Sequence, residues 1–353
     1  MLIIMNTEQN TPAQPFKENK IYDYKIVCAK LGFAMCIYFI CRIFGGLLNF
    51  AIASAQTGIG VTLPVAISTI ITVITVYIIP MLFTAALFGG MDYYNPRSER
   101  FRELYKKPKR LARAIGTFPA MYGLGLGIAA LTFMVSYLIT QATGGQTVVE
   151  DIIRPPTIEP ATTIGSALIM VFMIVVIAPI FEEVLVRGIM YDALAPYGHG
   201  IAILITSILF GLMHGSMHML LHTTVVGFAL GYVRYATNSL LIVTILHAII
   251  NSVAAGMLLM LALSDITNGG NRMVNTVLSI YTLAVLVLII VGIIAFFMKI
   301  PTIRKYKIEN IWPELTPARK TALFFISIPV IIMLILAINE HTNYWLISYM
   351  WRT

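Results

Sequence analysis

Charge is what this chain has least of. Of 353 residues only 11% are Asp, Glu, Lys or Arg, against 58% hydrophobic, where a soluble domain is usually about 25% charged. So little charge cannot cover a globule of this size in water, and most of the surface must face lipid. That excludes the two or three soluble domains the length alone would suggest. Cysteine is scarce as well. Cys28, Cys36 and Cys41 lie in or beside the first apolar stretch, with no CxxC pair, and read as small apolar fillers. A cleavable signal is not expected, because the apolar start Met1 to Met5 is too short and a polar stretch follows.

The sequence is rich in long apolar runs bordered by basic clusters. Nine segments can be drawn at 31–54, 61–88, 115–140, 164–186, 200–216, 222–236, 240–262, 274–298 and 321–347, most of them near the roughly 20 residues a bilayer demands. They must be helices, since an open sheet edge in hydrocarbon leaves backbone groups unpaired, and continuous runs such as 274–298 do not alternate as barrel strands do. The fold class is all-α: a polytopic transmembrane bundle of about eight or nine spans. Eight basic side chains (Arg97, Arg100, Arg102, Lys106, Lys107, Lys109, Arg110, Arg113) crowd one loop. Six more (Lys299, Arg304, Lys305, Lys307, Arg319, Lys320) crowd another. Their place beside apolar spans marks cytoplasmic loops meeting anionic lipid headgroups rather than a nucleic-acid surface. The expected organisation is a cytoplasmic N-terminal segment 1–30, N-terminal spans 31–163 with basic loop 89–114, central helices 164–262, and C-terminal spans 263–353 with basic loop 299–320. Alternation puts the N-terminus in the cytoplasm and the chain in a cell membrane, a bacterial plasma membrane being favoured. The GxxxG spacings at Gly123/Gly127, Gly211/Gly215 and Gly227/Gly231 are expected to serve close packing within one bundle; oligomeric state is left open.

Ionisable side chains at membrane depth cost about 2.5–3.5 kcal/mol each on insertion scales and mark functional sites by default. In Pro179-Ile-Phe-Glu-Glu-Val-Leu-Val-Arg-Gly188, Glu183 and Arg187 are four apart and can pair on one helix face, which leaves Glu182 without that partner. A carboxylate so placed can serve as a general base; the bland alternative is a helix end emerging into water. His214 closes Phe210-Gly-Leu-Met-His214, with His218 and His222 following at four-residue steps. That spacing is one metal-binding helices use, but Gly215 and Ser216 suggest a turn, and the later pair is expected at an aqueous boundary. His247 and Asn251 share a face of a third segment, where their N–H groups could hold an oxyanion or simply tie helices together. Arg42 and Arg234 are assigned no chemistry. Counted from Gly200 and Leu240, His214 and His247 fall about 21 Å and 10 Å along their helices, so their meeting requires the fifth helix to start deeper or tilt.

Taken in order, Glu182-Glu183-xxx-Arg187, Phe210-xxx-His214 and His247-xxx-Asn251 resemble the CAAX protease and bacteriocin-processing (CPBP, or Abi) family of intramembrane proteases, which includes the type II CAAX prenyl endopeptidases. The resemblance covers roughly 164–262. It implies a helical bundle with a cavity towards the cytoplasmic side, in which Glu182 activates water with help from His214. His247 and Asn251 form the oxyanion hole, and Arg187 steadies the glutamate helix with Glu183 as its partner or as a second acid. It leaves two routes: a metal-free glutamate mechanism, preferred here, or a zinc ion on Glu182, His214 and His247. No other cofactor is implied. Other intramembrane proteases leave no trace, for the chain has no HExxH, no GxSG serine turn and no GxGD. The expected activity is hydrolysis of a membrane-associated peptide or lipidated protein substrate, as in CAAX-type or bacteriocin and pheromone processing. The alternative is a non-catalytic scaffold or bacteriocin self-immunity protein of the same fold, against which all the motif residues being present argues. A proton-coupled transporter is disfavoured because no paired broken helices are evident.

Overall fold

The computed structural model describes residues 15–59, 65–90, 92, 95–108, 111–143, 163–215, 217–267, 271–305, 308 and 312–342. Among them there is no strand; the chain is a transmembrane bundle of helices, as its composition requires. Helix α1 runs Pro15–Ile59 and α2 spans 65–87, with a π-helical stretch at Val73–Ile78. The short α3, Glu99–Leu104, is capped by Ser98. Then come α4, Leu111–Thr143, and α5, which spans 164–194 and is interrupted by π-helical stretches at Met173–Ile177 and Val184–Met190. They are followed by α6, His199–Met213, α7, Met217–Thr237, α8, Leu240–Ile266, and α9, Arg272–Lys305. The last pair is α10, Pro317–Phe325, and α11, Ile328–Thr342.

Each apolar segment lies on a helix among the described residues, but the helices differ in reach. Among the described residues, five stretches are long and apolar enough to cross a bilayer: Lys20–Ile52, Ile67–Leu87, Ile164–Tyr197, Leu240–Ile266 and Arg272–Met298. The expected single span 321–347 is instead a broken pair, α10 and α11, bent by 71°. Helix α6 has 15 residues, about 22 Å, which falls short of a hydrocarbon core about 30 Å thick. Depth counted from its first residue is therefore not depth in the membrane.

Residues 15–30 of the expected N-terminal segment form the first turns of α1. Tyr24, Cys28, Leu31, Met35 and Phe39 are all fully buried, and their steps of three and four make one helical stripe. The same burial explains two of the cysteines. Gly123 of α4 meets Gly292 of α9 so closely that a Cβ on either would run into the other's backbone. Gly211 and Gly227 likewise seat α6 against α7. These glycines are spent within one bundle, as close packing of small residues in membranes predicts.

Two of the three π-helical stretches among the described residues have a cause in the sequence. Pro80 and Pro179 each stand two residues past the end of one. Proline lacks the N–H and its ring crowds the preceding turn. In lipid no water can satisfy the carbonyls so released, and widening the turn lets other groups reach them.

Candidate active site

Helix α5 carries the first motif, Glu182 and Glu183 at the end of its α-helical stretch Ala178–Glu183 and Arg187 on the π-helical stretch that follows. Arg187 and Glu183 are both fully buried and paired, Nη1 to Oε1 at 2.9 Å. The same Oε1 lies 2.8 Å from Nδ1 of His247 on α8. Glu183 therefore binds two partners, and the second of them was not foreseen. Arg187 also donates from Nη2 to the Gly227 carbonyl at 3.2 Å, and its guanidinium lies 4.2 Å from the centre of the Phe210 ring. Phe210 presents its ring edge-to-face to His247 at 5.5 Å and to His214 at 4.8 Å. The phenyl group is thus the spacer that brings two imidazoles from separate helices to one place. The different depths counted for them along their helices do not keep them apart.

With Nδ1 of His247 turned to Glu183, its other nitrogen, Nε2, stands 3.8 Å from Oε2 of Glu182. That Oε2 is buried and has no hydrogen-bond partner, although 14% of the Glu182 side chain remains open. His214 turns Nδ1 to the Phe210 carbonyl at 2.7 Å. The carbonyl only accepts, so Nδ1 carries the proton and Nε2 is left to accept. Asn251 donates Nδ2–H to the Ile174 carbonyl at 2.8 Å. Ile174 is the residue five before Pro179, the position a π-turn N–H at 179 would have bonded; proline has none, and Asn251 fills the vacancy. Of the two readings of Asn251, tying helices together is therefore realised for one of its two N–H groups.

A cavity of about 210 Å³ opens beside these groups, lined by His214, His222, His247 and Asn251, with apolar walls that include Tyr122 and Val285. His222, expected at an aqueous boundary, belongs to this wall and approaches the Gly125 carbonyl of α4 through Nδ1 at 2.8 Å. The side chain of His218 lies outside the described residues. Glu182 is not a lining residue; its contact with the cavity wall runs through His247. The zinc arrangement on Glu182, His214 and His247 does not fit. Among the described residues no three His, Cys, Asp or Glu side chains are grouped to hold a metal ion.

Two charged groups that sequence reading left idle stand next to this centre. Arg234 donates Nε–H to the Arg187 carbonyl at 3.1 Å and pairs with Asp192 at 3.0 Å, and Asp192 is also paired with Arg100 at 3.2 Å. Arg42 forms an ion pair with Glu340 of α11. A lone arginine in the first apolar segment and a lone carboxylate in the last were the available signal, since opposite charges inside a bilayer find each other.

Residues 164–253 match the family model of Rce1-like type II CAAX prenyl endopeptidases. The matched stretch holds all six of Glu182, Glu183, Arg187, His214, His247 and Asn251, and the resemblance to CAAX proteases is borne out there. Helices α1, α2, α4 and α9 to α11 lie outside the Rce1-like segment and pack against parts of it. No curated protein and no solved structure gives a match.

Proposed function

We propose that this chain is a membrane-embedded endopeptidase of CAAX type that hydrolyses peptide bonds of membrane-associated peptide or lipidated protein substrates by a glutamate-activated water. The observation that carries this reading is convergence. Two carboxylates from α5, an imidazole from α8 and another from the end of α6 meet beside a cavity walled by Asn251. Glu182 has an oxygen with no partner and a partly open side chain, and it takes the proton of the attacking water. His214 Nε2 accepts from the same water and orients it. Glu183 fixes the rotamer of His247, so that Nε2 faces Glu182 and can relay the proton towards the leaving amine. The second N–H of Asn251, together with His247, stabilises the oxyanion of the tetrahedral intermediate. The basic loops 97–113 and 299–320 support a site towards the cytoplasmic face, with the N-terminus on that side.

One observation favours a second reading, a scaffold of the same fold without hydrolysis. Glu183 Oε1 ties Arg187 and His247 together in a buried cluster, and Glu182 stands off the cavity wall. The two readings part in one experiment. Wild type and Glu182→Gln are reconstituted in liposomes and offered a farnesylated CAAX peptide and a library of membrane-proteome peptides. Product from wild type that falls about 100-fold or more in the variant, and persists in the presence of a chelator, supports the endopeptidase. Equal profiles support the scaffold.

A further inference from the structure

The end of α6 is held from outside the Rce1-like segment. A helix C-terminus leaves its last carbonyls unpaired, and in lipid they need a donor. The Met213 carbonyl accepts from Arg42 Nη1 at 2.5 Å and from the Tyr38 hydroxyl at 3.0 Å, both from α1. The other arm of the guanidinium, Nη2, reaches the His214 carbonyl at 3.5 Å, while Nε pairs with Glu340 of α11. The next residue, Gly215, has φ +61°, and a Cβ there would run into Arg42 and Glu340. This left-handed turn favours glycine, and the pair occupies the space a side chain would need. Arg42 also lies within electrostatic range of Glu182, together with Tyr38 and Tyr77.

We propose that Arg42, clamped by Glu340, is a positioning residue for His214. Its guanidinium fork grips the last carbonyl of α6 and that of the capping residue His214, and so aims His214 Nε2 into the cavity. This gives the first and last helices a role in catalysis without touching substrate. It rests on the endopeptidase reading above, since His214 needs aiming only if it acts on water. A cation at a helix C-terminus is also favourable in itself. The specific claim concerns the planar fork, whose Nη1, Nη2 and Nε reach Met213, His214 and Glu340 from three separate nitrogens, where an ammonium must serve every partner from a single point.

The test compares wild type, Glu182→Gln, Arg42→Lys, Arg42→Gln and the exchange Arg42→Glu with Glu340→Arg. Turnover of the best peptide from the library and thermal unfolding are measured in the same liposomes. The expected result is a kcat loss of about 10- to 100-fold in Arg42→Gln, with KM within about twofold. Arg42→Lys should fold like wild type and lose about 3- to 10-fold. The exchanged pair should recover the melting temperature but not kcat, because a carboxylate cannot donate to the carbonyls of α6. If Arg42→Gln does not fold, Arg42→Lys and the exchange decide. Recovery of kcat in the exchange, or wild-type kcat in Arg42→Lys, overturns the inference and makes the pair a plain clasp between α1 and α11. No loss in Glu182→Gln, or no product from wild type, overturns the endopeptidase reading instead, and the inference with it.

Discussion

Glu183 and Glu182 are neighbours in sequence and occupy two different regions of the protein. Glu183 faces a dry interior where Oε1 serves Arg187 and His247 while Oε2, like Oε2 of Glu182, has no partner. Glu182 faces a partly open rim, 3.8 Å from His247, with an oxygen no donor reaches. The difference teaches that the two carboxylates divide labour. One spends its charge on holding helices α5 and α8 in register, and the other keeps its charge available. Variants that separate stability from turnover are the way to break this comparison.

The largest loss of stability is expected from Glu183→Ala. It leaves Arg187 buried with no counter-ion and His247 without its orienting acceptor, and breaking a buried pair in this way costs about 3–5 kcal/mol. Thermal unfolding in detergent should show it; a variant as stable as wild type would mean the interior tolerates an unpaired guanidinium. Next is Arg187→Lys. The charge stays, but the bond to the Gly227 carbonyl and the stacking on Phe210 are lost, at about 1.5–3 kcal/mol. If Lys substitutes freely, the fork geometry is not what joins α5 to α7.

Much of this interior was legible in the sequence. The i, i+4 spacing of Glu183 and Arg187 gave their pairing, and ionisable residues in apolar segments gave the neighbourhood. The second partner of Glu183 was not legible, because it depends on Phe210 spacing two helices far apart in the chain. Nor were the π-helical turns: Pro179 can be read, but not which carbonyl it releases or that Asn251 collects it. Arg42 and Glu340 stand nearly 300 residues apart, and only the folded chain puts both beside Gly215. The broken helix α10 and α11 was missed because hydropathy stays high across the bend.

A smaller effect is expected from Asn251→Ala. Interhelical hydrogen bonds in membranes average about 0.6 kcal/mol and reach about 1.7, so the loss of the bond to Ile174 should lower stability by that much. Turnover should fall further than this, because Asn251 also lines the cavity and is the proposed oxyanion donor. Equal losses in both would assign Asn251 wholly to joining α5 and α8.

The smallest change in stability, and the most informative, is expected from Glu182→Gln. The amide keeps the shape of the side chain and removes one of two adjacent negative charges. It also replaces an oxygen that has no partner, and an unmade buried hydrogen bond is a liability in the folded state. Unfolding should therefore be unchanged or slightly harder, by no more than about 1 kcal/mol, while peptide hydrolysis is lost. A residue that holds the bundle together cannot behave this way, since its removal would lower stability as Glu183→Ala does. A marked fall in stability would place Glu182 in the same structural region as Glu183 and leave the rim without a base.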